Sequence, residues 1–395
     1  MKSNPFQQQR LTAAGVAPED IRSIADLRRL PFTSKAELAA DQVAHPPFGS
    51  NLTYPVERYS RLHQTSGTTG SPLRWLDTPE SWDWLMQCWR QLFDMMGLRP
   101  ADRLFFPFSF GPFLGFWAGF DGANRHGHLC LAAGGMSSIA RLQFLRDTQA
   151  TVVCCTPTYA LRLAEVAAEE GVDLSASAVR AILVAGEAGG NIPATRELIS
   201  KAWGARVVDH WGMTEIGPMA IETEHSPNCL TVLETECIAE IIDPASGSPA
   251  APGTEGELVI TTLGRLGSPI LRYRTGDRVR SIPGDGLLQL DGGILGRVDE
   301  MLTIRGNNLY PAALEEIVRR FPDVAEFRIE VLVERAMQHV RIEIEPQAAN
   351  ADSQELCRQI GETIRLRWNF QAEVIPVKDL PRFELKGKRF FKRSV

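Results

Sequence analysis

Five short apolar runs between residues 103 and 210 constrain the fold more than any other feature of the chain: RLFFPFSF, HLCLAA, ATVVCCT, AILVAG and ARVVDH. Each has strand length and is too short for an ordinary helix. Between them lie LQFLRDTQ, YALRLAEVAAEEG and PATRELISKAWG, which carry helical patterns. Strands alternating with helices predict a parallel sheet with helices on its faces. After Thr231 the period changes. LTVLETECIAEIID, GTEGELVITTL and DRVRSIPGDGLLQLDGGILG are rich in β-branched residues and turns, which predicts an antiparallel region. Past GRVDE at 296–300 a compact pattern follows: MLTIRG, PAALEEIVRRF, FRIEVLVE, HVRIEIEP and DSQELCRQIGETIRLRW. The expected architecture is α/β. A large N-terminal domain, 1–298, carries parallel α/β sheet layers plus an antiparallel β region, and a small α+β domain spans 299–395.

A chain of 395 residues is too long for one ordinary core, which agrees with two units. The first sixty residues hold polar helix-like stretches. Helices are expected to start near Asp20 and near Thr33, the latter with a capping box of Ser34 and Glu37. A Trp/Leu/Met-rich pattern from Ser81 to Met96 predicts an amphipathic helix. No run of about eighteen apolar residues predicts a membrane span. The N-terminus MKSNPFQQQR has no apolar signal core, and the seven cysteines read as reduced thiols, so a cytoplasmic protein is expected. The net charge of −6 gives no footprint for nucleic acid.

Four segments carry chemistry. Thr65, Ser66, Gly67, Thr68, Thr69 and Gly70, followed by Ser71-Pro72, form a loop between two strand-like segments. Its glycines let backbone N–H groups turn inward and its hydroxyls add donors, so it can wrap nucleotide phosphates. No GK[ST] follows, so it is not a Walker motif. His210-Trp211-Gly212-Met213-Thr214-Glu215 follows the strand-like ARVVD, at a strand end where open α/β sheets bind ligands. Glu215 offers the hard oxygens that Mg²⁺ prefers. Tyr273-Arg274-Thr275-Gly276-Asp277 sets an aspartate just past a tight turn, suited to ribose hydroxyls. The fourth segment joins Gly296-Arg297-Val298-Asp299-Glu300 to IRGNNLYP. Taken singly, each also reads as an ordinary polar turn, hairpin or linker.

In this order and spacing the segments resemble the adenylate-forming superfamily of acyl-CoA synthetases, adenylation domains and luciferase, and most of all the phenylacetate–CoA ligase family. The resemblance runs from AGVAPEDIRSIADLRRLPFTSKAEL through RLHQTSGTTGSP, HWGMTEIGP, EIIDPASG, GELVITTL, RYRTGD and GRVDEMLTIRGNNLYP to LPRFELKGKR. It implies ATP-dependent activation of a carboxylic acid to an acyl-AMP, followed by acyl transfer to a thiol. By this resemblance residues 65–70 hold phosphate, and Thr214 and Glu215 serve the α-phosphate and Mg²⁺. Asp277 and Arg297 serve the ribose or phosphate. The backbone of Gly186-Glu187-Ala188 faces the adenine, and Asp299 is the hinge of a mobile C-terminal domain. The family often has lysine where this chain has Ser71, which removes one cation near the phosphates. The register of Leu380-Pro381-Arg382 makes Lys386 the catalytic lysine, with Lys388 as the alternative.

The acyl pocket is expected from the segment Phe105 to Trp117, with Phe108, Phe113, His210 and Gly212 facing the substrate. Aromatic walls suit a flat ring, so the acid is expected to be small and aromatic, although most of these rings belong to the core. His225, Cys229 and Cys237 carry zinc-type donors in one stretch, but the spacing fits no finger template and lacks a fourth ligand. The thiol acceptor is CoA, or alternatively the phosphopantetheine of an acyl carrier protein, with an amine as a further alternative. A degenerate nucleotide-binding member without turnover is the non-enzyme alternative. The resemblance is compatible with a homodimer.

Overall fold

The computed structural model describes residues 3–65, 72–108, 110–284, 286–300, 302–304, 307–334, 337–347, 352–383 and 387–394. Twelve strands among them form one sheet. From one edge they run Cys237–Ile242, Glu255–Thr262, Tyr273–Ile282, Gln289–Asp291, Cys229–Val232, Gly217–Glu222, Arg206–Met213, Ala181–Val184, Val152–Cys155, Arg103–Phe106 and Leu129–Ala132. Gly296–Arg297 pairs with Tyr273–Ile282 off this path. The parallel and antiparallel parts are therefore one continuous surface. They meet within a single strand. Arg206 to Asp209 pairs in parallel with Ala181–Val184, and His210 to Met213 pairs antiparallel with Gly217–Glu222.

The parallel strands are buried on both faces, which explains why they read as unbroken apolar runs. Val152, Cys154, Ala181 and Leu183 point to one core, while Val153, Cys155, Ile182 and Val184 point to the other. The first core is filled by Trp82, Leu85, Met86, Trp89, Leu92 and Phe93 of the helix Pro79–Met95. That helix begins two residues before the expected start, because Thr78 caps it by accepting from the Ser81 amide. The second core packs under Ser138–Asp147, Pro157–Glu169 and Pro193–Trp203. Near the N-terminus the Ser34–Glu37 capping box forms, opening Lys35–Ala44. The expected helix at Asp20 instead begins at Ile24, where Ser23 accepts from the Asp26 amide.

Residues beyond 301 gather into a separate core around Phe327, Ile329, Ile342, Ile344, Ile360 and Ile364. The hairpin Val324–Glu334 and Met337–Pro346 is flanked by Glu373–Pro376 and Phe390–Ser394, both paired in parallel. The basic stretch at the C-terminus thus contributes an edge strand.

The large unit is cross-tied by one ion pair. Arg265 and Asp77 are both fully buried, with contacts of 2.7 and 2.6 Å between guanidinium and carboxylate. The third guanidinium arm donates to the Thr214 carbonyl at 2.6 Å. Burying two charges is tolerable only when both are fully partnered. Arg265→Met strands the Asp77 carboxylate and should lower stability by about 3–5 kcal/mol. The apolar double variant Asp77→Leu/Arg265→Met should recover most of that loss. Urea unfolding of the three proteins tests this, and a single variant as stable as the parent would refute the tie.

Candidate active site

The phosphate-type loop closes an antiparallel hairpin, Arg61–Gln64 with Arg74–Asp77. Thr65 forms its neck: its amide donates to the Leu73 carbonyl and its hydroxyl accepts from the Leu73 amide, both at 3.0 Å. Ser66, Gly67, Thr68, Thr69 and Gly70 lie outside the described residues, as does Lys386. Lys388 is described and exposed, its ammonium 5.3 Å from the centre of the Phe391 ring.

Thr214 and Glu215 occupy the turn between Arg206–Met213 and Gly217–Glu222, closed by the Ile216 amide on the Met213 carbonyl. Gly212 is needed there, since a Cβ would approach the Gly217 carbonyl oxygen to 2.6 Å. The Glu215 carboxylate is only 1 % exposed. It accepts from the Tyr273 hydroxyl at 3.2 Å and faces the Lys35 ammonium at 3.5 Å. Burial, together with Glu215, pushes the Tyr273 phenol far above its ordinary range, so it stays a donor.

Asp277 is not placed past a simple hairpin turn. It sits inside the strand Tyr273–Ile282, where the register against Glu255–Thr262 shifts between Glu257 and Val259. Gly276 takes φ +75° at this irregularity, and a Cβ there would come within 2.5 Å of the Arg297 guanidinium. Arg297 is the cross-strand partner of Asp277. It donates to Asp277 Oδ1 at 3.0 Å and to the Thr275 carbonyl at 2.7 Å, while Trp211 Nε1 donates to Asp277 Oδ2 at 2.9 Å. Burial raises the Asp277 carboxyl despite these donors. Asp299 lies in the short helix Val298–Glu300, largely exposed, with Arg297 Nε 3.4 Å away.

Gly186 and Glu187 follow the strand Ala181–Val184. The Glu187 carboxylate accepts from the Thr158 amide at 2.8 Å and from the Gly387 amide at 2.6 Å. His210 is buried, its Nδ1 2.8 Å from the Ala220 carbonyl and its ring 4.7 Å from Trp89. Phe108 packs against Phe106, Phe110 and Phe116, whereas Phe113 is 48 % exposed. The aromatic segment is stitched to the phosphate hairpin by the Gln64 amide on the Pro112 carbonyl at 2.7 Å. Lys35, Asp77, Tyr273 and Arg265 escaped assignment from the sequence. Lys35 and Tyr273 stand inside motif segments, but nothing local marks Asp77 and Arg265 as a buried pair.

The zinc reading is not supported. His225 is exposed, and Cys237 is buried with its thiol on the Leu233 carbonyl and pushed up to about 12 by burial. No group of three or more potential metal-binding side chains occurs among the described residues. A cavity of ≈ 610 Å³ lined by Asp94, Glu224, His225 and Gln289 shares no residue with the Glu215–Asp277 cluster. No described helix is long and apolar enough to cross a membrane.

A buried carboxylate at a strand turn and a second one held by Trp211 and Arg297 thus lie on one mixed sheet, joined by the Tyr273–Glu215 and Trp211–Asp277 hydrogen bonds. The model of the AMP-binding enzyme family matches residues 19–264, and that of the AMP-binding enzyme C-terminal domain matches 306–393. Phenylacetate-coenzyme A ligase of Escherichia coli (strain K12) is 31% identical over 98% of this chain and 90% of its own length. A 2-hydroxyisobutyryl-CoA ligase solved in the postadenylation state with an acyl-AMP superposes with a TM-score of 0.93 at 27% identity, covering 99% of this chain and 86% of that one. The same ligase in the thioesterification state gives 0.74 at 28% identity over 100% and 86%. The chain belongs to the AMP-binding enzyme family and is an AMP-forming acid–thiol ligase similar to phenylacetate–CoA ligases. It makes an acyl-AMP and then a CoA thioester, with ATP and CoA as co-substrates.

His63 and His210 are both pushed down to about 4, chiefly by burial; for His63 the Asp77 carboxylate opposes this and Arg265 adds to it. Each stays neutral in the folded chain while the unfolded chain protonates it near 6.5. The unfolded state then binds more protons, so stability falls as pH drops from about 6.5 to about 4, by up to about 3 kcal/mol per histidine. His63→Phe, which keeps the stack on Trp82, should flatten that slope. Unfolding midpoints measured between pH 4 and 8 decide it; equal slopes for parent and variant would discard the assignment.

Proposed function

We propose that the acid is small and aromatic and that CoA is the physiological thiol. The observation that carries the aromatic reading is the stack of rings around Phe106 and Phe108, and the thiol follows the CoA ligases the chain resembles. Phe106, Phe108, Phe116 and Phe120 pack edge-on or tilted at 5.2–6.3 Å, and this stack adjoins the phosphate hairpin. From Arg103–Phe106 the chain passes outward to Leu129–Ala132 and then back across to Val152–Cys155, so the strand order reverses there. Ligands of open α/β sheets sit beyond the strand ends at such a point.

In this reading Asp277 accepts the ribose hydroxyls, its burial and its Trp211 and Arg297 donors fixing the acceptor oxygens. Thr65 to Gly70 cradle the phosphates, and Thr214 contacts the α-phosphate. Lys35, whose ammonium lies 3.5 Å from Glu215, brings a cation to that carboxylate, while the chain lacks a lysine at Ser71. Glu215 is buried among few donors and fits Mg²⁺, which would neutralise the phosphate oxygens and the leaving pyrophosphate. The substrate carboxylate attacks the α-phosphorus and pyrophosphate leaves. Lys386 stabilises the charge gathering there. Gly186 and Glu187 offer backbone to the adenine, and His210, Gly212, Phe108 and Phe113 border the acyl group. The domain spanning 299–395 then turns about Asp299 so that thiol can reach the acyl-AMP carbonyl. The higher similarity to the postadenylation form of the hydroxyisobutyryl-CoA ligase supports an acyl-AMP-forming arrangement for this structure.

ATP–pyrophosphate exchange over a panel of acids tests the substrate. Benzoate- or phenylacetate-like acids should exceed straight-chain acids severalfold; preference for 2-hydroxyisobutyrate or a long fatty acid would reject the aromatic reading. Thioester yield with CoA against carrier protein separates the two thiols. Lys386→Ala and Glu215→Gln should each slow exchange by about 10²–10³. Lys386→Ala, given synthetic acyl-AMP and CoA, should keep most of its thioester-forming rate. If Lys388→Ala abolishes exchange and Lys386→Ala does not, the lysine assignment moves by two residues.

A further inference from the structure

The large and small units meet at a polar contact through the Glu187 side chain, of which the chemistry above uses only the backbone. Glu187 lies at the N-terminus of the helix Pro157–Glu169, where its carboxylate accepts the Thr158 amide at 2.8 Å. Its other oxygen accepts the Gly387 amide at 2.6 Å, across 200 residues of chain. Arg389, two residues on, donates to Thr158 Oγ1 at 2.8 Å. It cannot swing freely, because Glu326 of the small unit grips it through two bonds of 2.6 and 2.8 Å. Gly387 permits the approach: a Cβ there would run into the Arg389 guanidinium and come within 2.9 Å of Thr158 Oγ1. Hydrogen bonds to a carboxylate are among the stronger ones and are directional. Gly387 directly follows Lys386 in the chain. Fixing its amide therefore fixes the residue that follows Lys386 in the chain.

We propose that Glu187 is a positioning residue for acyl-AMP formation: its carboxylate latches the Gly387 amide and, with Thr158 receiving Arg389, holds the Lys386-bearing segment against the large unit until the acyl-AMP is made. The proposal rests on the role given to Lys386 above. It predicts that the latch opens for thioester formation, so weakening it penalises one half-reaction only.

The test compares Glu187→Ala and Glu187→Gln with the parent in three measurements. The first is ATP–pyrophosphate exchange with phenylacetate. The second is thioester formation from supplied phenylacetyl-AMP and CoA. The third is the distance between spin labels at Ile139 and Leu366, exposed residues on helices of the large and small units. Glu187→Ala, which keeps the backbone assigned to the adenine, should slow exchange at least tenfold, slow thioester formation far less than exchange, and broaden the label distance distribution. Glu187→Gln keeps an acceptor oxygen and should fall between. A narrow, parent-like distribution in Glu187→Ala, or equal slowing of both half-reactions, would overturn the proposal. If the parent itself shows no exchange with phenylacetate, the substrate reading fails, and the latch is judged by the label distances alone. If Lys386→Ala proves harmless while Glu187→Ala still broadens the distances, the latch stands and only its link to that lysine is lost.

Discussion

Asp77 and Arg265 hold together three segments that the chain keeps far apart. Asp77 ends the hairpin whose tip is the phosphate-type loop, Arg265 lies in the connection before Tyr273–Ile282, and the Thr214 carbonyl belongs to the turn that carries Glu215. Removing two charges from water is unfavourable, and only complete partnering compensates for it. Every arm of the guanidinium is engaged, and its face lies 5.3 Å from the Trp75 ring. The geometry leaves one arrangement of the three segments. His63 belongs to the same environment: burial holds its ring neutral, while Asp77 and Arg265 act on it in opposite directions.

The continuous sheet explains how the two carboxylates come near one another. Arg206–Met213 changes from parallel to antiparallel pairing along its own length, so its far end leaves the helix-covered region and enters the β region. Trp211, on that far half, reaches Asp277, and Tyr273 from the next unit of sheet reaches Glu215. These two crossed hydrogen bonds join the turn to the bulged strand. The bulge at Gly276 lets Arg297 lie over Asp277, which puts an irregularity of pairing at a candidate site. The start of the small unit is thereby tied to the same carboxylate through Arg297 and the exposed Asp299.

Much of the fold was legible because its signals are local. Five apolar runs became five strands, although the first stops at Phe106 and the last runs on to Met213, and the capping box at Ser34 formed as its two residues require. Boundaries slipped where a cap outweighed the apolar pattern, as at Thr78 and Ser23. The charged FFKRS stretch pairs with Val324–Glu334, because burial of Phe390 against the small core outweighs the exposed charges beside it. The zinc-type donors failed for the opposite reason. Their closeness in sequence meant little once Cys237 entered a strand facing the main core and His225 stayed in an exposed loop.

By itself the sequence determined the alternation of strands and helices, the places where glycine must stand, and the motif order shared with AMP-forming ligases. Those properties depend on residues a few positions apart, where periodicity and turn chemistry act. Only the tertiary structure decided that two β regions are one sheet, that Asp77 meets Arg265 across 188 residues, and that Glu187 meets Gly387 across 200. A buried arginine and a surface arginine look the same in a sequence. What separates them is the set of partners that folding brings within hydrogen-bonding distance, and no local pattern encodes that distance.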